Sequence, residues 1–338
     1  MTSCGRSAKQ ERLQSLSNSK GVIAALAIDQ RKSLRKLIAG AASVGFTEIS
    51  DAQLAGFKSA VTEVLTTHAS AVLLDPEYGL EAAQARTAKC GLLLAYEADG
   101  YENPRPHRML MLMPEHSVRT LRDAGAEGIK ILLHYSPLDD ERANSEKKIL
   151  IERIGNECAA LEMPFFLEPV LYDPQPGGCP PLSDFEFARS KPALVVEMMK
   201  EFSRDIYRVD MLKVEFPVSV PYVEGSAVWC GETAYTRAEA LKWFHRADAA
   251  ADGPYIYLSA GVSTPVFFES LRMANESGAR YSGVLCGRAT WQDGVAEFAS
   301  YGADGLRRWL STRGVENVRK LNELIANAAP WTERYRQL

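Results

Sequence analysis

The 338-residue sequence is poor in the groups that would build a disulfide framework, a metal centre or a membrane anchor. Its six cysteines (Cys4, Cys90, Cys158, Cys179, Cys230 and Cys286) are scattered, with no Cys-x-x-Cys pair. They read as reduced thiols, several of them buried as small hydrophobes. Only five histidines occur (His68, His107, His116, His134 and His245), with no His-x-His or His-Glu-x-x-His spacing, so metal chemistry is poorly supported. No apolar run reaches the roughly 18 residues of a membrane span, and residues 1–20 lack the apolar centre of a signal peptide. A net charge of −4 at pH 7 gives no reason to expect nucleic acid as a partner. These absences point to a cytoplasmic protein without membrane or nucleic-acid partners, in which an anionic metabolite would need a local basic site.

What the sequence does contain is a recurrence of short apolar, β-branched runs. Eight of them cover residues 21–31, 70–79, 91–98, 128–135, 164–173, 209–218, 255–262 and 283–290. Nearly continuous apolar runs suit parallel strands covered on both faces. Amphipathic helical stretches lie between them at 51–68, 144–161, 191–202, 236–251 and 264–277, with Asp51 as a cap and Gly125 and Gly278 placed to end helices. Eight alternations fit a closed barrel or a doubly wound sheet. The count, and the lack of a Gly-x-Gly-x-x-Gly turn after the first strand, favour a (β/α)8 TIM barrel. Residues 171–181, rich in Pro and Gly, read as a long loop. No boundary divides the chain, so residues 1–338 are expected to form a single domain. Residues 1–20 and about 315–338 would be terminal extensions, the latter a helix outside the barrel.

Function in a barrel lies at the C-terminal ends of the strands. Lys130, Glu168 and Lys213 interrupt the fourth, fifth and sixth apolar runs. Buried lysines on neighbouring inner strands are costly without a purpose. Burial and a second ammonium would both favour a neutral amine, able to attack a ketone, with Glu168 moving protons. The same residues also fit a buried Lys–Glu ion pair, or a lysine pointing outward between helices. Glu215, two residues past Lys213, competes with Glu168 for the acid/base role. Ser259, Gly261, Gly287 and Arg288 close the last two runs, where small residues and a guanidinium suit a phosphate, although the glycines equally permit tight turns. Asp29, at the close of the first run, can orient a hydroxyl, pair with a lysine or cap the next segment. Asp75 lies in a turn-like Asp-Pro-Glu-Tyr-Gly, and His134 reads as a structural histidine near the mouth.

At these motifs the sequence strongly resembles the bacterial tagatose 1,6-bisphosphate aldolase family of class I aldolases. The resemblance covers roughly residues 10 to 330, through ALAIDQR, LLDPEYGL, CGLLLAYE, IERIGNEC, PFFLE, LKVEFPV, PYIYLSAGVS and GVLCGRATW. It implies a Schiff base on Lys213, Glu168 as acid/base, Lys130 as a second active-site lysine and Asp29 at the end of the first strand. It also implies a substrate site including Gln30, Ser259, Gly261, Gly287 and Arg288, no cofactor or metal, a phosphorylated ketohexose as substrate, and a homodimer. The expected reaction is cleavage of tagatose 1,6-bisphosphate, with fructose 1,6-bisphosphate also accepted, to dihydroxyacetone phosphate and glyceraldehyde 3-phosphate. The sequence departs from the family pattern at Pro169, residues 171–181 and residues 102–114. Two alternatives therefore stand beside it: an aldolase for a sulfosugar phosphate such as sulfofructose 1-phosphate, and a sugar-phosphate-sensing regulator.

Overall fold

Each of the eight apolar runs supplies one strand. The computed structural model describes residues 6–98, 106–174 and 182–335. The strands are β1 (Ile23–Ala27), β2 (Ala71–Leu74), β3 (Gly91–Ala95), β4 (Gly128–Tyr135), β5 (Phe165–Leu171), β6 (Met211–Val214), β7 (Tyr255–Leu258) and β8 (Gly283–Cys286). Every strand pairs with its sequence neighbour, and β8 closes in parallel on β1. The expected (β/α)8 barrel is therefore the observed fold.

The described helices are α1 (Ala8–Ser15), α2 (Lys32–Ala42), α3 (Asp51–Leu65), α4 (Leu80–Gln84), α5 (Val118–Asp123), α6 (Glu141–Ala160), α7 (Asp184–Phe202), α8 (Arg237–Ala250), α9 (Thr264–Ser277), α10 (Arg288–Trp291), α11 (Val295–Trp309) and α12 (Val315–Leu324). Helix starts differ from the sequence reading at α3, α6 and α7, with α6 beginning at Glu141 rather than 144. Ser50, not Asp51, caps α3: its hydroxyl accepts from the Gln53 N–H at 3.2 Å while Gln53 Oε1 accepts from the Ser50 N–H at 2.8 Å, a reciprocal capping box. Helix α7 begins at Asp184 rather than 191, because Ser183 and Glu186 form the same device and Pro192 falls inside the helix. Gly125 and Gly278 leave α5 and α9 with left-handed φ of 97° and 75°, as helix-ending glycines do.

Alternation along the strands divides the core in two. Outward side chains such as Ile129, Ile131, Leu212 and Val214 pack beneath the helices. Inward ones, including Ile23, Leu73, Leu93, Phe166, Met211 and Ile256, fill the barrel. The floor comes from both ends of the chain. Leu13 of α1, Leu16 at its C-cap and Trp331 join the inner cluster, and the Trp331 N–H donates to the Gly21 carbonyl at 2.9 Å. Asp210, just before β6, accepts from Lys9 Nζ at 2.9 Å, Tyr335 Oη at 3.2 Å and the Phe165 N–H at 2.9 Å.

Cys90, Cys158 and Cys286 are buried free thiols and Cys230 is an exposed one; Cys4 and Cys179 lie outside the described residues. Burial pushes the Cys90 and Cys286 thiols up to about 12. Among the described residues no helix is long and apolar enough to cross a membrane. Since Trp331 is fully enclosed (1 % exposed), Trp331→Ala is expected to cost about 3–5 kcal/mol of stability. A urea melt checks this, and an unchanged midpoint would show that the floor is not part of the cooperative core.

Candidate active site

With Phe166 and Met211 facing inward, a period of two brings Glu168 and Lys213 to the same interior one layer nearer the mouth. On β4 the inward series is Lys130, Leu132 and His134. Strands β4 and β5 share the longest register in the barrel, from Ile129↔Phe165 to Tyr135↔Leu171. That register fixes Lys130 and Glu168 in adjacent layers. They line a cleft of about 370 Å³ at the C-terminal ends of the strands, together with Asp29, Gln30, Ser259, Gly261, Gly287 and Arg288. All nine site residues expected from the sequence are thus brought to one place.

Glu168 is the hub of the cleft. Its Oε1 lies 2.7 Å from Lys213 Nζ and its Oε2 lies 2.8 Å from Lys130 Nζ. Lys130 is further held by Asp29 Oδ2 at 3.0 Å and Glu97 Oε1 at 2.5 Å. Burial pulls the Lys130 ammonium down. Asp29, Glu168 and Glu97 outweigh it and hold its pKa well above the ordinary lysine value. Lys130 is thus the second ammonium of the site, kept charged by the three carboxylates around it. Burial also opposes ionisation of Asp29, yet Lys130, Lys213 and Lys58 keep its carboxyl below the usual carboxylate range. Asp29 pairs with a lysine rather than capping α2, whose N-cap, Arg31, has no side-chain cap bond.

The other end of the cleft is built from β7 and β8. Ala260 and Gly261 follow β7 with left-handed φ of 48° and 73°, and a Cβ at Gly261 would overlap the Arg288 guanidinium. A Cβ at Gly287 would come within 2.9 Å of the Ala27 carbonyl oxygen and 3.2 Å of Gln30 Nε2. Both glycines therefore let backbone and guanidinium approach closely. Arg288 is half-buried, and burial pulls its pKa below the usual guanidinium value against the pull of Asp29 and Glu168. A cation short of water, with room left beside it by Gly261, is suited to an anion.

The competing residues have other partners. Glu215 lines the cleft, but its Oε2 accepts from the Leu171 N–H at 2.8 Å and its Oε1 lies 3.3 Å from Lys191. Asp75 does not line the cleft; it accepts from the Tyr78 N–H at 2.8 Å and pairs with Lys58. His107 and Arg108, in the atypical segment 102–114, have left-handed φ of 62° and 46°. They are tied to the mouth through His107 Nδ1 on Asp139 at 2.7 Å and Arg108 over the Tyr172 ring at 5.1 Å. Residues 102–105, and 175–181 of the expected loop, lie outside the described residues.

Sequence reasoning missed Glu97 and Arg31. Glu97 follows the inward pair Leu93 and Ala95 by the same period of two, so the alternation that found Glu168 points to it. Arg31 lines the cleft and donates from Nη2 to the Glu97 carbonyl at 2.8 Å. Among the described residues, no cluster of three or more His, Cys, Asp or Glu side chains is arranged to hold a metal ion.

A closed parallel barrel with its charged groups gathered at the C-terminal mouth has the build of a (β/α)8-barrel enzyme. A profile of the DeoC/LacD family aldolases matches residues 23–293. Tagatose 1,6-diphosphate aldolase 2 of Enterococcus faecalis is 48% identical over 324 residues, covering 96% of this chain and 95% of that protein. A tagatose 1,6-diphosphate aldolase of Staphylococcus aureus is 46% identical over 323 residues, covering 95% and 97%. Among solved structures, an archaeal fructose 1,6-bisphosphate aldolase aligns with a TM-score of 0.59 over 94% of this chain and 98% of its own. The fructose-bisphosphate aldolase of Plasmodium falciparum aligns with 0.62 over 93% and 94%. Both are 13% identical, a likeness of fold. The chain belongs to the DeoC/LacD aldolase family.

His134 supplies a pH test of the mouth. Burial, then Arg108, Lys147 and Lys130, push its imidazole down to about 3. Below pH 6.5 the unfolded chain takes up a proton that the folded one refuses, so stability falls as pH drops from there toward 3, by at most about 1.4 kcal/mol per pH unit. His134→Gln is expected to flatten the dependence of Tm on pH in that window. An unchanged slope would mean that the imidazole is not held neutral.

Proposed function

We propose that this chain is a class I aldolase that cleaves tagatose 1,6-bisphosphate, and also fructose 1,6-bisphosphate, through a Schiff base on Lys213. The observation that carries the reading is Glu168, with one oxygen 2.7 Å from Lys213 Nζ and the other 2.8 Å from Lys130 Nζ. A carboxylate within hydrogen-bond reach of the candidate nucleophile is what proton transfer at that amine requires. The 48% and 46% identical relatives named for the tagatose substrate support the same choice.

Glu168 takes a proton from Lys213 Nζ, the free amine attacks the C2 carbonyl, and Glu168 returns that proton to the carbinolamine hydroxyl so that it leaves as water. The C4 hydroxyl then passes its proton to the Glu168 carboxylate, and the C3–C4 bonding pair flows into the iminium. Glyceraldehyde 3-phosphate departs, leaving an enamine. Protonation at C3 and hydrolysis of the resulting iminium release dihydroxyacetone phosphate and free Lys213. Lys130, kept charged by three carboxylates, is a donor to the substrate hydroxyls rather than a second nucleophile, and Asp29 with Gln30 orients the same hydroxyls. Ser259, Gly261, Gly287 and Arg288 hold the C1 phosphate. The scheme uses no cofactor, the enzyme works in the cytoplasm, and its assembly is a homodimer.

Borohydride reduction in the presence of dihydroxyacetone phosphate and a chelator, followed by peptide mass mapping, is expected to leave an adduct on Lys213. Full cleavage activity without an adduct would overturn the mechanism. Lys213→Ala is expected to abolish cleavage while the fold persists. Glu168→Gln is expected to lower kcat by roughly 10²–10⁴-fold, and Glu215→Gln by less than about tenfold; the reverse order would exchange their roles. Arg288→Ala is expected mainly to raise KM for the phosphorylated ketose, and an unchanged KM would remove it from the phosphate site.

A further inference from the structure

Helix α3 presents a buried stripe of Leu54, Phe57, Val61 and Leu65, and Lys58 lies within it with no exposed surface. An ammonium there has to satisfy three donors without water. It does so on one small target. Lys58 Nζ donates to the Ile28 carbonyl at 2.6 Å, the Gln30 carbonyl at 2.8 Å and Asp75 Oδ2 at 2.5 Å. The two carbonyls flank Asp29. Asp75 balances the charge and is itself fixed by the Tyr78 N–H. Strand β1 ends at Ala27, so Asp29 and Gln30 lie beyond the barrel ladder, in the turn that Lys58 grips from beneath.

We propose that Lys58 is a positioning residue for the aldolase reaction: by holding the carbonyls on either side of Asp29, it aims Asp29 and Gln30 into the cleft facing Lys130 and Gly287. The inference rests on the role given above to Asp29. A buried ion pair is weak evidence for global stability, because well-packed apolar residues often replace one at no cost. What an apolar residue cannot supply is two donors that fix the aim of a turn. Asp29 Oδ2 reaches Lys130 at 3.0 Å and its Oδ1 accepts from Gln30 Nε2 at 3.2 Å. A displaced turn therefore moves both groups, and an error of about 1 Å in such a contact is able to cost on the order of 100-fold in rate.

The test is K58M/D75N, which removes both charges together while the amide introduced by D75N keeps an acceptor for the Tyr78 N–H. It is compared with wild type, with D29N and with the triple variant. In the wild-type background kcat for ketose bisphosphate cleavage is expected to fall by about 10- to 100-fold. Borohydride trapping of dihydroxyacetone phosphate on Lys213 is expected to stay within about threefold. In the D29N background the same pair of changes is expected to cost less than about threefold, since residues acting as a unit are not additive. K58Q/D75N, which restores an uncharged donor, is expected to recover part of the lost kcat, and it also serves if K58M/D75N folds poorly. A kcat within about threefold of wild type, an equal loss in both backgrounds, or a trapping loss as large as the cleavage loss overturns the proposal. If D29N alone is fully active, the role of Asp29 fails and this inference with it; if D29N is impaired while K58M/D75N is not, only this inference fails.

Discussion

The mouth of the barrel depends on one carboxylate shared by two ammonium groups. Glu168 of β5 spans Lys130 of β4 and Lys213 of β6, and without it the lysines of the two flanking strands would face each other unscreened, both nearly fully buried. Burying a lone charge costs several kcal/mol even after relaxation. Asp29 and Glu97 complete the compensation around Lys130, and the arrangement leaves the two lysines unequal. Lys130 is surrounded by three carboxylates, whereas Lys213 shares only Glu168 among the ion pairs described. The asymmetry leaves Lys130 held by three acids and Lys213 by one, and it follows from where Asp29, Glu97 and Glu168 fall around the mouth.

Much of this was legible in the sequence. Eight apolar runs with helical stretches between them dictated the barrel, because a parallel strand covered on both faces has little room for polar residues. The same scarcity made Lys130, Glu168 and Lys213 conspicuous. What stayed hidden depends on partners distant in the chain. The charge state of Lys130 is set by Asp29, Glu97 and Glu168, residues whose convergence no local window contains. Lys58 looks like any lysine on an amphipathic helix until α3 docks and closes its stripe. Helix starts were misplaced for a more ordinary reason: Ser50 and Ser183 cap through side-chain bonds to residues three ahead, and Pro192 sits inside a helix that its presence argues against.

The two ends of the barrel divide the physical labour. The floor is mainly apolar, made from Leu13, Leu16 and Trp331 beneath Phe166 and Met211, with the Lys9–Asp210 pair at its side. The mouth concentrates charge, close glycine packing and left-handed backbone at Ala260 and Gly261. Strained backbone and concentrated charge are tolerable at one end because the other is closed largely by hydrophobic burial. The 46–48% identity to curated relatives spans nearly the whole chain, so floor and mouth both belong to the stretch shared with them.

Asp210 gives that floor a further property. One buried carboxylate takes hydrogen bonds from Lys9 near the start of the described chain and Tyr335 near its end, and also secures the first residue of β5. Trimming either terminal segment would leave the same acid short of a partner, so a cut at one end is felt at the other. The two terminal segments are therefore coupled through one acid: loss of Lys9 or of Tyr335 weakens the same seam beneath β5 and β6, at the end of the barrel away from the mouth.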